Sequence, residues 1–70
     1  MEIHRLVKMA NEIGTFFAGA EHHHEAVASI AAHLHNFWEP RMRMQLIAYA
    51  QQEGGELTPI TKEAVLTLVK

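Results

Sequence analysis

Apolar residues fall at Ile3, Leu6, Val7, Ala10, Ile13 and Phe17, at intervals of three and four. That spacing lines one face of an α-helix, and Lys8, Asn11, Glu12 and Thr15 fall on the other side. It predicts a helix over about residues 2–18, with Gly19 as its stop, because glycine accepts the left-handed backbone of a C-terminal cap. A second stripe, Val27, Ile30, Ala31, Leu34 and Trp38 with Phe37 beside it, predicts a helix over about 21–37. Pro40 pushes Glu39 out of helical geometry and pre-sets the first position of a third helix over about 40–52, with Met44, Ile47 and Ala48 among its inward candidates. Glu53-Gly54-Gly55-Glu56 reads as a loop from which Leu57 packs inward. Thr58 then serves as N-cap and Pro59 as first helical residue of a last helix, over about 58–69, carrying Ile60, Ala64, Val65, Leu68 and Val69. There is no strand alternation, repeat or long linker. The expected fold is all-α, one helical domain over residues 1–70, a small bundle of three to four short helices.

At 70 residues the chain buries only about 60% of the surface its unfolded form exposes, so one core supplies about 3–5 kcal/mol. With no cysteine there is no disulfide and no Cys-ligated zinc or iron–sulfur centre, which fits a reducing compartment. The 49% hydrophobic share argues for a globular fold, and no run approaches the ~18 apolar residues of a membrane span. Met1-Glu-Ile-His-Arg lacks the basic and apolar regions of a signal peptide, so the expectation is a soluble cytoplasmic protein with no membrane partner. Net charge is −2 and uneven: residues 1–40 set two cations against five carboxylates, a net −3, and residues 41–70 four against three, a net +1. Neither half has the clustered basic face that nucleic acid requires.

His22, His23 and His24 invite a metal reading. Consecutive helical residues point about 100° apart, however, and cannot share one ion. The i, i+4 pairing of helical zinc sites fails, because His24-Glu25 is followed by Ala28 where a second histidine belongs. His33 and His35, two apart, also diverge. Surface histidines are the plainer reading. Imidazolium charge at the start of the second helix would oppose its dipole, so acid is expected to loosen that helix. The one serine, Ser29, lies in an apolar helix, there is no aspartate, and acids flank the two glycines of the loop. No catalytic, cofactor-binding or metal residue is expected. Met1, Met9, Met42 and Met44 offer an adaptable surface, although helical spacing favours Met9 and Met44 as core fillers. Arg41 and Arg43 face the positive end of the third helix; they form either a solvated first turn or a pair met by a carboxylate of Glu39, of its neighbours or of another subunit. Trp38 is either core or interface, and Trp and Arg are enriched at interface hot spots. The corner Phe37, Trp38, Pro40, Arg41 and Arg43 is the candidate partner interface.

Three blocks carry a family likeness: Arg5-Leu-Val-Lys-Met-Ala-Asn11-Glu-Ile-Gly-Thr-Phe16-Phe17, His33-Leu-x-x-Phe37-Trp38-Glu39-Pro40-Arg41-Met42-Arg43, and Gly54-Gly55-x-Leu57-x-Pro59 followed by Ala64-Val65. In order and spacing they resemble the small delta subunit of NAD-dependent, molybdenum-containing formate dehydrogenases. The Phe-Trp-x-Pro-Arg-Met-Arg block is the specific one, and the histidine-rich segment at 22–24 departs from the pattern. The resemblance implies a non-catalytic accessory subunit that supports assembly, stability or molybdenum-cofactor maturation of a cytoplasmic complex. Bis-molybdopterin guanine dinucleotide and iron–sulfur clusters would sit in the alpha subunit, and flavin with further clusters in the beta and gamma subunits. Two other readings stand beside it. One is a histidine-dependent metal carrier or insertion factor using His22, His24 or His33. The other is a free-standing homo-oligomeric helical module.

Overall fold

A computed structural model describes residues 2–69; Met1 and Lys70 lie outside them. The carboxylate of Glu2 accepts the amides of His4 (3.1 Å) and Arg5 (3.2 Å), capping helix α1, Ile3–Ala20. α1 runs past Gly19, the expected stop, to Glu21, whose extended backbone (φ −139°) ends the helix while its N–H still reaches the Phe17 carbonyl at 3.0 Å. A left-handed glycine is needed where a chain folds back over its own helix end. Here the chain leaves extended through Glu21 and His22, so none is required. For the same reason α2, His23–Phe37, starts two residues later than its stripe predicted.

α3, Pro40–Gln52, has the predicted limits but a different inward phase. Leu46 and Ala50 are buried, with Met42, Ile47 and Tyr49 packed against the core, whereas Met44 is 68% exposed and Ala48 is exposed. Once Met42 points inward, a residue two positions on lies about 200° round the helix, which turns Met44 to solvent. Met9, the other methionine read as core, packs partly buried against it. α4, Pro59–Thr67, stops short of the predicted end, and i→i+3 bonds from Leu68 to Val65 and from Val69 to Leu66 tighten its last turn.

Leu6, Val7 and Ala10 of α1, Val27, Ile30 and Leu34 of α2, and Ala64 and Val65 of α4 meet in one core. Leu46, Ala50, Leu57 and Trp38 close it. Leu57 is buried, as the sequence predicts, and Trp38 is 8% exposed, which places its indole in the core. α1 packs tightly on α4 at Gly14, where an added Cβ would collide with the Thr61 hydroxyl and stand 3.3 Å from Thr61 Cβ. Thr61 is fully buried, and its hydroxyl lies 2.6 Å from that of Thr58. Thr58 holds the N-cap position but spends its hydroxyl on Thr61 and leaves the helix amides uncapped by its side chain.

The loop between α3 and α4 is stitched down by polar groups. Gly54 takes the left-handed conformation (φ 63°), which carries the chain off the end of α3. Asn11 on α1 donates from Nδ2 to the Glu56 carbonyl (2.8 Å) and accepts the Thr58 amide on Oδ1 (3.0 Å). The Tyr49 hydroxyl accepts the Glu56 amide at 3.0 Å.

Candidate partner-binding surface

The corner between α2 and α3 divides the five residues singled out there. Trp38 ends α2 in extended geometry (φ −91°, ψ 143°), its N–H still bonded to the Leu34 carbonyl at 3.1 Å and its indole in the core. Glu39 caps α3 through its backbone alone, accepting the Arg43 amide at 3.0 Å, and Pro40 follows as the first helical residue. Arg43 reaches back to donate from Nη1 to the His35 carbonyl in the last turn of α2. One of the two sequence readings met the arginines with a carboxylate. What Arg43 meets instead is the negative end of α2, which serves the same electrostatic purpose. Phe37 (74% exposed), Pro40 and Arg41 face outward.

From Phe37 a line of rings crosses from α2 to α1. Phe37 lies 4.8 Å from His33, His33 6.3 Å from Phe17, and Phe17 5.2 Å from Phe16, measured between ring centroids. Phe16 is 68% exposed. Beside this line a solvent-open groove of about 560 Å³ runs between the helices, lined by Met9, Glu12, Ile13, Phe16, Phe17, His33 and Trp38. Phe16 had no place in the apolar stripe of α1. Its signal was the Phe16-Phe17 pair: neighbours on a helix diverge by about 100°, so only one can face the core.

On the other flank of α1, His4, Val7, Lys8, Asn11, Thr15 and Glu56 line a more polar groove, and Glu12 stands on the rim between the two. His4 Nδ1 donates to Glu56 Oε1 at 3.0 Å. That hydrogen bond, with the charges of Glu56, Glu2 and Glu53, raises the His4 pKa above its usual 6.5. The three consecutive histidines are exposed and separate: His22 is the N-cap of α2, while His23 Nε2 bonds Glu63 Oε1 of α4 at 2.8 Å. Among the described residues no three His, Cys, Asp or Glu are placed to hold a metal ion. Nor is any described helix long and apolar enough to cross a membrane.

No curated protein and no solved structure matches this chain. A family model does match, over residues 5–65, and it spans all three sequence blocks, the α2–α3 corner and the groove. Its description is NADH-dependent formate dehydrogenase delta subunit, FdsD. The chain therefore belongs to the family of delta subunits of NADH-dependent formate dehydrogenases.

Proposed function

We propose that this protein is a non-catalytic accessory subunit of a cytoplasmic, molybdenum-containing formate dehydrogenase. In this reading it binds the alpha subunit and supports assembly, stability or cofactor maturation there. The family match over residues 5–65 carries the proposal. Two features of the chain support it. It lacks cysteine for iron–sulfur ligation, and it has neither serine nor aspartate placed for catalysis, so the redox chemistry belongs to the partner subunits with their bis-molybdopterin guanine dinucleotide, iron–sulfur clusters and flavin. It also leaves apolar side chains in water at the α2–α3 corner, where a small monomer gains nothing from them.

The interface in this proposal is the corner 37–43. Phe37, Pro40 and Arg41 touch the partner, Trp38 supports them from the core, and Arg43 fixes the angle between α2 and α3. The experiment is co-purification of the tagged chain with the formate dehydrogenase subunits, followed by an assay of formate-dependent NAD reduction in the recovered material. Recovery of the large subunit with activity, reduced by Phe37→Ser with Arg41→Glu, is the expected result. A chain that elutes alone from cells making active enzyme overturns the proposal.

A further inference from the structure

Resting on that reading, we propose that the α1–α2 groove seats an amphipathic helix of the partner subunit, one bearing a lysine or arginine beside its apolar anchors to pair with Glu12. The groove is walled by Met9, Ile13 and Phe16 on α1 and by His33 and Trp38 on α2. Met9 to Phe16 spans two turns, about 10 Å of helix axis, which matches apolar anchors at i, i+3 or i+4, and i+7 on an incoming helix. Being open to solvent along its length, the groove cannot enclose the 70–90% of a ligand's surface that a small-molecule site of about this size buries. Phe16 and Phe37 stand exposed at the two ends of the aromatic line, the rigid and entropically cheap kind of side chain that anchors a protein interface.

Charge selects the occupant. Glu12 stands exposed on the rim that this groove shares with the polar groove and, among the described residues, makes neither an ion pair nor a hydrogen bond. Lys8, one turn earlier, is not paired with it. Every residue lining the groove comes from the first 40, which carry a net −3 with histidine neutral. A second copy would bring the same acidic half against it, so self-association sets like charge against like. A segment with a cation beside its apolar residues removes that mismatch and gives Glu12 a partner.

The test uses the full chain and the formate dehydrogenase complex purified without it, with affinity measured at low and high salt. Phe16→Ser and Glu12→Lys alter exposed side chains, so circular dichroism and the melting temperature should not change. Phe16→Ser should weaken binding roughly thirty-fold, the scale of a lost hot spot. Glu12→Lys should weaken binding at low salt and flatten its salt dependence. If the unaltered chain binds and both variants bind as tightly, the groove is wrong while the accessory-subunit reading stands. If the unaltered chain does not bind, that reading fails and the groove proposal with it. If the isolated chain sediments as a dimer that Phe16→Ser dissociates, the occupant is a second copy and the proposed partner helix is overturned.

Discussion

Gly14→Ala puts two opposing effects in one methyl group. On an exposed helix surface, alanine in place of glycine would stabilise by about 1 kcal/mol through helix propensity. Gly14, however, sits where α1 crosses α4, and the new Cβ would overlap the Thr61 hydroxyl and press within 3.3 Å of Thr61 Cβ. Thr61 cannot turn away cheaply, because it is fully buried and hydrogen-bonded to Thr58 at 2.6 Å. Overpacking of this kind costs about 1–3 kcal/mol, and direct overlap belongs at or above the upper end of that range. The net expectation is a loss of about 2 kcal/mol, roughly half the stability available to a chain this small. It should read as a melting temperature lower by about 8–16 °C. The double-mutant cycle decides the cause. In a Thr61→Ala background the obstructing oxygen is gone, and Gly14→Ala should cost less than about 0.5 kcal/mol or become stabilising. In a Thr61→Val background, which keeps both branches at that position, the full cost should remain. A Gly14→Ala variant that melts higher than the unaltered protein, or a cost unchanged by Thr61→Ala, would refute a contact-limited crossing.

The loop and its tether supply three more tests. Gly54→Ala places an L-residue at φ 63° with its Cβ 3.1 Å from the Ala50 carbonyl oxygen, and urea unfolding should show a loss of about 1–2 kcal/mol. Asn11→Ala removes two hydrogen bonds, one to the exposed Glu56 carbonyl and one from the part-buried Thr58 amide, a loss of about 1 kcal/mol, with faster amide exchange across residues 54–58. Exchange unchanged in that variant would mean the loop holds without its tether. His4 has a folded pKa above 6.5, so the stability it contributes is fully present below 6.5 and is lost as pH rises through the folded value. An NMR titration should place the His4 midpoint above 6.5 and Glu56→Gln should bring it down, whereas an unmoved midpoint would exclude Glu56 as the cause.

Periodicity made α1 and α2 legible, because each has enough large apolar residues at three- and four-residue intervals for only one face to fit, while the limits of α3 came from Pro40 and the Gly54-Gly55 loop. The inward phase of α3 was not legible. Met42, Met44, Leu46 and Ile47 allow more than one stripe, and the choice falls to the neighbouring helices that Leu46 and Ala50 pack against. Prolines at 40 and 59 marked two helix starts because a proline's fixed φ acts locally. Asn11 was invisible as a tether, since its partners lie more than 40 residues away and nothing in its own helix signals them. The corner was half legible: Pro40 as a helix start follows from sequence, but the choice of core for Trp38 and the contact of Arg43 with the end of α2 depend on how the helices pack. Acid loosening of α2 was read from its dipole alone. The contact of His23 Nε2 with Glu63 Oε1 of α4 at 2.8 Å ties that helix start to α4, which the sequence did not disclose.

The two flanks of α1 explain why one surface of the domain is left for a partner. Three sides of this helix are already engaged with its own chain or with water. Leu6, Val7, Ala10 and Gly14 face the core, while His4 and Asn11 hold the α3–α4 loop on one flank. On the opposite flank Met9 and Ile13 pack against the edge of the core and, with the exposed Phe16, leave their outer sides to the solvent-open groove beside the aromatic line from α2. The loop that covers the first flank is held by its polar backbone groups, of which the Glu56 carbonyl and amide and the Thr58 amide bond side chains of α1 or α3. Most of the groove's lining, Met9, Ile13, Phe16 and Phe17, offers no hydrogen-bonding group to an occupant's backbone. An occupant must bring its own satisfied backbone, and a helix does so.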